Sequence, residues 1–284
     1  MNEGGDLSGG RNSVKQKIGS MQSEAKEKMF IAVDEEGGTV ARLANAGLCS
    51  DIGNASSLNS VNAAKTAGST VGDCMKGLGF NVDFAPVADT LYEAGSSVLA
   101  NRVFANSSDP NTVAKLSTAF GSGLESKGVI AVYKHFPGHG SSASDTHTGG
   151  ASTSKTWSQL KNEDIIPFKS AIDSRAKMIM AAHITTADSN GPASMSSKYL
   201  TDYLRGELGY KGLIVTDALN MGAATQASST PALAAFKAGA DLLLMPNNPS
   251  SAYNSILNAV KSGEIPESRL NESVQRILNA KKGL

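Results

Sequence analysis

Residues 128–140 read Gly-Val-Ile-Ala-Val-Tyr-Lys-His-Phe-Pro-Gly-His-Gly, a short apolar run that gives way to titratable side chains. Its first part, Gly128 to Tyr133, has the length and β-branched character of a buried strand. Similar runs recur along the chain between longer amphipathic stretches, and this alternation predicts a parallel sheet wrapped by helices. The predicted strands are Met29 to Val33, Phe80 to Ala85, Gly128 to Tyr133, Lys177 to Ala181, Leu213 to Thr216 and Asp241 to Met245.

The predicted helices are Asn12 to Met21, Asn62 to Leu78, Asp109 to Lys127, Trp157 to Arg175, Pro231 to Ala238 and Pro266 to Ala280. A closed barrel of eight strand–helix units usually needs about 250 residues, yet no strand candidate precedes Met29. We therefore predict an α/β fold of the (β/α)8 TIM type that lacks its first two strands. Residues 1–284 should form one domain, with residues 1–28 as an irregular or helical lead-in.

An incomplete barrel leaves strand edges unpaired. We expect either an exposed edge beside Met29 to Val33 or the Gly-rich N-terminus lying across the gap. Both arrangements should be less stable than a closed barrel and prone to associate.

The charge balance argues against a polyanionic partner. Lys plus Arg and Asp plus Glu both number 26, which favours a neutral substrate over nucleic acid or an anionic membrane surface. No apolar run is long enough for a membrane span. Met1 to Arg11 lacks the charged head and apolar core of a secretory signal, so the chain as it stands is expected in the cytoplasm, or exported if a signal lies upstream.

The two cysteines, Cys49 and Cys74, are too few for a disulfide framework and do not have metal-site spacing. We predict that both are free thiols.

Polar side chains follow most of the predicted strands. In a (β/α) barrel the carboxyl ends of the strands converge on one face, which carries the active site. All four histidines lie in or just after such strand ends, which predicts a functional site on that face. These histidines are His135, His139, His147 and His183.

The Ser-rich loop after His139 carries Asp145 and His147, two residues apart. In an extended segment such side chains project to the same side, so the carboxylate can orient the imidazole. The ordinary alternative is a structural hydrogen bond, but a Ser/Gly-rich loop can also move over a substrate.

Two further acidic segments have both structural and functional interpretations. Asp217 ends the strand Leu213 to Thr216, where it could cap the next helix or act chemically. Residues 34–38, Asp-Glu-Glu-Gly-Gly, could form only a solvated turn.

The order of these segments resembles glycoside hydrolase family 3, in its N-acetylhexosaminidase branch. The resemblance runs from about Val33 to the C-terminus, and Lys-His-Phe-Pro-Gly-His followed by Asp-x-His is its most specific part. The matching segments are residues 34–38, 82–89, 101–104, 134–140 with Asp145 and His147, 180–183 and 215–221.

The resemblance implies a retaining glycosidase that releases terminal N-acetyl-β-D-glucosamine from cell-wall or chitin fragments through a covalent glycosyl-enzyme. Asp217 would be the nucleophile, and His147, held by Asp145, the acid/base. It implies a carbohydrate substrate and neither a cofactor nor a metal. The implied sugar-binding residues are Asp34, Arg42, Arg102, Lys134 and His135, with His183 in the wall of the site.

The sequence departs from the family pattern in the two missing leading strands and at Thr39, where an arginine is common, although Arg42 keeps its place. Three alternatives stay open. The same site could transfer the sugar to phosphate, the chain could be a non-catalytic sugar-binding remnant, or the histidines and acids could ligate zinc in a metal-dependent barrel hydrolase.

Overall fold

The computed structural model describes residues 7–93, 96, 98–142, 146 and 149–284. The strands are β1 (Ala32–Val33), β2 (Glu35–Gly37), β3 (Val40–Ala41), β4 (Val82–Asp83), β5 (Ile130–Phe136), β6 (Ala151–Ser152), β7 (Met178–Ala181), β8 (Ile184–Thr185) and β9 (Leu213–Thr216). The α-helices are α1 (Gly10–Glu24), α2 (Arg42–Asn45), α3 (Val61–Leu78), α4 (Pro110–Glu125), α5 (Trp157–Asn162), α6 (Ile166–Asp173), α7 (Gly222–Ala227), α8 (Pro231–Ala238), α9 (Pro249–Lys261) and α10 (Glu267–Lys281). A π-helical segment spans Lys198–Glu207.

Within the described residues, five strands form one parallel sheet in the order β1-β4-β5-β7-β9. Five of the predicted strands are thus confirmed. The sixth, Asp241 to Met245, contributes only an isolated parallel bridge between Leu242 and Val215. The sheet is an incomplete barrel, as the sequence predicted, with β1 at one edge and the Leu242 segment at the other.

Side chains alternate between the two faces of the sheet. The inner face carries one apolar cluster, whose buried members are Val82, Phe84, Ile130, Val132, Met178, Met180, Leu213 and Val215. Continuing the alternation by two residues leads from Ala32 to Asp34, from Val132 to Lys134 and from Val215 to Asp217. The strands therefore deliver charged groups to the inner side at their carboxyl ends.

The helices cover the outer face. α3 and α4 pack closely at Gly68. A Cβ at this position would lie 2.1 Å from the carbonyl oxygen of Phe120, so only glycine fits there. The single helix predicted over Trp157 to Arg175 is wrong: it is divided into α5 and α6, and Pro167 lies in the first turn of the second. α9 and the π-helical segment were not predicted.

The predicted N-terminal helix is present as α1, and it packs against α3. Val14 and Ile18 are buried, and Ile18 contacts Gly79 at the end of α3. Among the described residues, β1 pairs with a strand on its β4 side alone. The other expected arrangement, with the Gly-rich N-terminus across the gap, depends in part on residues 1–6, which lie outside the described residues. No helix in the described residues has both the length and the apolar character needed to cross a membrane.

The prediction of two free thiols is wrong. Cys49 and Cys74 form a disulfide, with their Cα atoms 5.9 Å apart. α3 carries Cys74 past the loop that follows α2, a tertiary contact that no spacing rule anticipates. The Arg11 guanidinium donates hydrogen bonds to the Leu48 carbonyl and, over 3.1 Å, to the Cys74 sulfur.

We expect the Cys49→Ala, Cys74→Ala double variant to lose about 3 kcal/mol of unfolding free energy. Without the disulfide, the unfolded chain regains the conformational entropy that loop closure had removed. The two cysteines are 25 residues apart. Urea denaturation of the variant and of the wild type, each with and without reductant, measures the effect. Reductant should lower the stability of the wild type only, and equal sensitivity of both proteins would contradict the prediction.

Candidate active site

A cavity of about 280 Å³ opens at the carboxyl ends of the central strands. Six of the nine predicted site residues line it, namely Asp34, Arg42, Arg102, Lys134, His135 and Asp217. Two further predicted residues, Asp145 and His147, lie outside the described residues. The ninth, His183, packs behind the cavity wall.

Asp217 follows β9 directly, and its side chain is half-buried in the cavity. Its Oδ1 accepts a hydrogen bond from the Ala218 backbone N–H at 2.8 Å. Burial alone would raise the pKa of this carboxyl, but the nearby His135 and His183 and the Ala218 N–H outweigh it and lower the pKa below 3.8. Asp217 is therefore ionised at neutral pH, as a carboxylate nucleophile must be.

Lys134 is buried and joins two acids beside Asp217. Its Nζ lies 2.8 Å from Asp34 Oδ1 and 2.6 Å from Glu36 Oε1. Arg102 binds the same Glu36 side chain through Nε and Nη2, each at 2.8 Å. The four charges form a fixed network in which each cation is held by a carboxylate.

Glu36 was not among the predicted site residues, although the acidic segment at 34–38 contains it. The sequence shows three successive acids but not which of them face the cavity. The structure resolves this. Asp34 and Glu36 point to Lys134, whereas Glu35 turns away and accepts from the backbone N–H groups of Leu43 and Ala44 at the start of α2.

The Glu36 network predicts an acid-dependent stability. Burial raises the pKa of Glu36, but Lys134 and Arg102 overcome this and lower the pKa from 4.5 to about 2. Because the pKa of Glu36 is lower in the folded protein than in the unfolded chain, its ionised carboxylate stabilises the fold at pH values above about 4.5. This stabilisation is lost as the pH falls from about 4.5 toward 2. We expect Glu36→Gln to reduce the unfolding free energy by about 3 kcal/mol at pH 7 and to flatten that pH dependence.

Chemical denaturation between pH 2 and 7 tests this prediction. Glu264→Gln is the matched control, because Glu264 pairs with Lys237 at 2.7 Å with both side chains about half-exposed. Such a pair contributes little. If both variants lost the same stability, the Glu36 network would have no special role.

The Lys134-to-Gly140 segment brings a histidine into the cavity beside its lysine. The register between β5 and β7 shifts between Tyr133 and Phe136, and both Lys134 and His135 line the cavity. The chain then passes so close to the backbone of Thr90 that a Cβ at Gly140 would lie 1.5 Å from the Thr90 carbonyl oxygen. Glycine is therefore obligatory at this point of the motif.

Asp89 lies beneath the two motif histidines and is fully buried. Its Oδ2 is 2.7 Å from His135 Nδ1, and its Oδ1 accepts from the backbone N–H groups of His135 at 3.2 Å and His139 at 2.7 Å. Despite burial, the two histidines and these hydrogen bonds lower the pKa of Asp89. The sequence placed Asp89 at a strand end but gave no reason to select it over its neighbours.

His183 supports the loop that follows Asp217. Its Nε2 lies 3.0 Å from the Ala218 carbonyl oxygen, and its Nδ1 lies 2.7 Å from Ser194 Oγ. The carbonyl can only accept, so Nε2 carries the proton and Nδ1 accepts from the serine hydroxyl. Both ring nitrogens are thus engaged within the protein, which explains why His183 does not line the cavity.

Across the residues that the structure describes, no group of three or more His, Cys, Asp or Glu side chains is arranged to hold a metal ion. Four charged groups of the cavity are instead engaged with one another, namely Asp34, Glu36, Arg102 and Lys134.

Comparison with known proteins yields consistent matches. The sequence profile described as "Glycosyl hydrolase family 3 N terminal domain" matches residues 7–280. A β-hexosaminidase of Nitrosomonas eutropha is 39% identical over 234 residues, which cover 79% of this chain and 66% of the relative. A β-hexosaminidase of Tolumonas auensis is 35% identical and covers 85% and 73%, respectively.

Among solved structures, a glycoside hydrolase family 3 β-N-acetylglucosaminidase from Paenibacillus superposes with a TM-score of 0.91 at 32% identity. The match covers 98% of this chain and 55% of that protein. The chain thus spans slightly less than two thirds of the Nitrosomonas relative and about half of the Paenibacillus enzyme.

Proposed function

Because the chain belongs to glycosyl hydrolase family 3, we propose that it is a retaining glycosidase that releases terminal N-acetyl-β-D-glucosamine from oligosaccharides such as cell-wall or chitin fragments. The observation that carries the proposal is the convergence of Asp217 with Lys134, Asp34, Arg102 and His135 in one cavity at the strand ends. The names of the relatives, β-hexosaminidase and β-N-acetylglucosaminidase, support the choice of sugar.

In the proposed reaction, the Asp217 carboxylate attacks the anomeric carbon while an acid protonates the departing oxygen. His147 supplies that proton, with Asp145 orienting its imidazole; the order of the sequence motifs supports these two roles. Water, deprotonated by the same imidazole, then hydrolyses the glycosyl ester and restores Asp217. An imidazole, whose ordinary pKa is about 6.5, can give a proton as the imidazolium in the first step and take one as the neutral ring in the second, both near neutral pH.

The charged network binds the sugar hydroxyls. Asp34 accepts hydrogen bonds from them, while Arg42, Arg102 and Lys134 donate, and charge-assisted bonds of this kind are stronger and more directional than neutral ones. Because Lys134 and Arg102 are already held by Glu36, little side-chain entropy is lost when the sugar binds.

The test compares an aryl N-acetyl-β-glucosaminide with the matching β-glucoside, with and without phosphate and a chelator. We expect hydrolysis of the first substrate, independent of both additions, with the β-anomer released first in NMR spectra. Release of the α-anomer first would contradict a retaining mechanism.

The same assay separates the alternatives. A sugar 1-phosphate formed only when phosphate is present would identify a phosphorylase. Turnover abolished by the chelator would identify a metal-dependent hydrolase, and sugar binding without turnover a non-catalytic protein.

A further inference from the structure

The contact between Asp89 and His135 is more specific than packing requires. The two oxygens of Asp89 have separate tasks: Oδ1 receives both backbone N–H groups of the motif loop, whereas Oδ2 faces only the His135 ring. Asp83, at the end of β4 and equally buried, contacts no histidine in the described part of the chain and accepts only the Glu35 backbone N–H.

The ionised carboxylate determines the tautomer of the ring. A carboxylate can only accept, so His135 Nδ1 must carry the hydrogen that it donates to Oδ2. His135 Nε2 has no hydrogen-bond partner among the described residues, and the ring lines the cavity with Asp217. Nε2 is therefore the nitrogen left for the sugar, and in the neutral ring it offers a lone pair to a hydroxyl group.

We propose that Asp89 is a positioning residue that holds His135 protonated at Nδ1, so that Nε2 accepts a hydrogen bond from a substrate hydroxyl. This inference rests on the proposed glycosidase function. Asp89 does not line the cavity, so it would influence the substrate only through the His135 ring.

Asp89→Asn isolates this role. The amide oxygen can keep both backbone N–H contacts of Oδ1, while the amide NH₂ takes the place of Oδ2. That NH₂ donates, so His135 Nδ1 must accept, and the proton moves to Nε2, which then cannot accept from the sugar. We expect kcat/KM to fall by about 10- to 100-fold, the loss of one buried hydrogen bond with its partner mismatched.

Asp83→Asn is the matched control, because it makes the same carboxyl-to-amide change at an equally buried position, where burial raises the pKa of the carboxyl well above 3.8. Its kcat/KM should stay within about twofold of the wild type, as for other near-isosteric changes. The chain has four histidines, so ¹⁵N spectra can resolve the ring tautomers, with His135→Gln identifying the signal. Wild-type His135 should be protonated at Nδ1 and the Asp89→Asn variant at Nε2.

The outcomes separate the two proposals. A wild-type chain without turnover overturns the proposed function, and this inference with it. A wild type that is active but carries the His135 proton at Nε2 alone overturns this inference, and that measurement does not require the variant to fold. Wild-type activity in Asp89→Asn, an unchanged tautomer, or an equal loss in Asp83→Asn would each overturn it as well.

Discussion

Asp217→Asn should lose at least about 10³-fold in turnover, because it removes the carboxylate that we propose as the nucleophile. The amide has the shape of the carboxylate and can still accept from the Ala218 N–H, which in the wild type lies 2.8 Å from Oδ1. It is too weak a nucleophile to form a glycosyl ester. The fold should persist while the chemistry stops.

Initial rates on an activated aryl N-acetyl-β-glucosaminide, together with circular dichroism and thermal melts, measure the two effects separately. Asp202→Asn makes the same chemical change at an exposed position of the π-helical segment and should behave as the wild type. If folded, uncontaminated Asp217→Asn kept more than a few per cent of the activity, Asp217 would not be the nucleophile.

The position of Asp217 could be predicted because strand geometry is regular. An apolar run that ends in a charged residue predicts a strand with that charge at its carboxyl end, and β5 and β9 follow this rule closely. The predicted strand Asp241 to Met245 contains a similar apolar run but forms only one bridge, at Leu242. As the edge segment of an open sheet, it has a neighbouring strand on one side only.

The partners of the charged residues could not be predicted in the same way. Glu36 reaches Arg102 across 66 residues of sequence, and Asp89 reaches His135 across 46. Such contacts depend on how strands and loops are placed in space. The same applies to Cys49 and Cys74, which sequence spacing alone does not pair and the packing of α3 brings together.

The single helix predicted over Trp157 to Arg175 failed for a different reason. The stretch has continuous amphipathic character, but the chain breaks between the two halves so that Asp164 can turn inward. Asp164 Oδ2 lies 2.6 Å from Lys155 Nζ, and the Asp164 side chain is fully buried. Pro167 also has no N–H for a continuous helix and would clash with the carbonyl four residues earlier, so it is placed in the first turn of a new helix.

The acid/base role that we propose for His147 leads to the second large expected effect. His147→Ala should slow hydrolysis of an oligosaccharide by about 10²- to 10⁴-fold, the usual contribution of a positioned general acid. A dinitrophenyl glycoside departs without protonation, so its first step should be nearly unaffected. The imidazole is also needed to activate water, so the covalent intermediate should then accumulate.

Three measurements make this prediction specific. The ratio of kcat/KM for the dinitrophenyl glycoside to that for the oligosaccharide should rise steeply in the variant. A burst of dinitrophenol should precede slow turnover, and mass spectrometry should find one N-acetylhexosamine on the peptide that contains Asp217. Asp145→Asn should raise the same ratio of kcat/KM values by a smaller factor, because the imidazole remains but is no longer correctly oriented. An equal loss on both substrates, with no burst, would make His147 a binding residue and leave the proton donor to another group in the site.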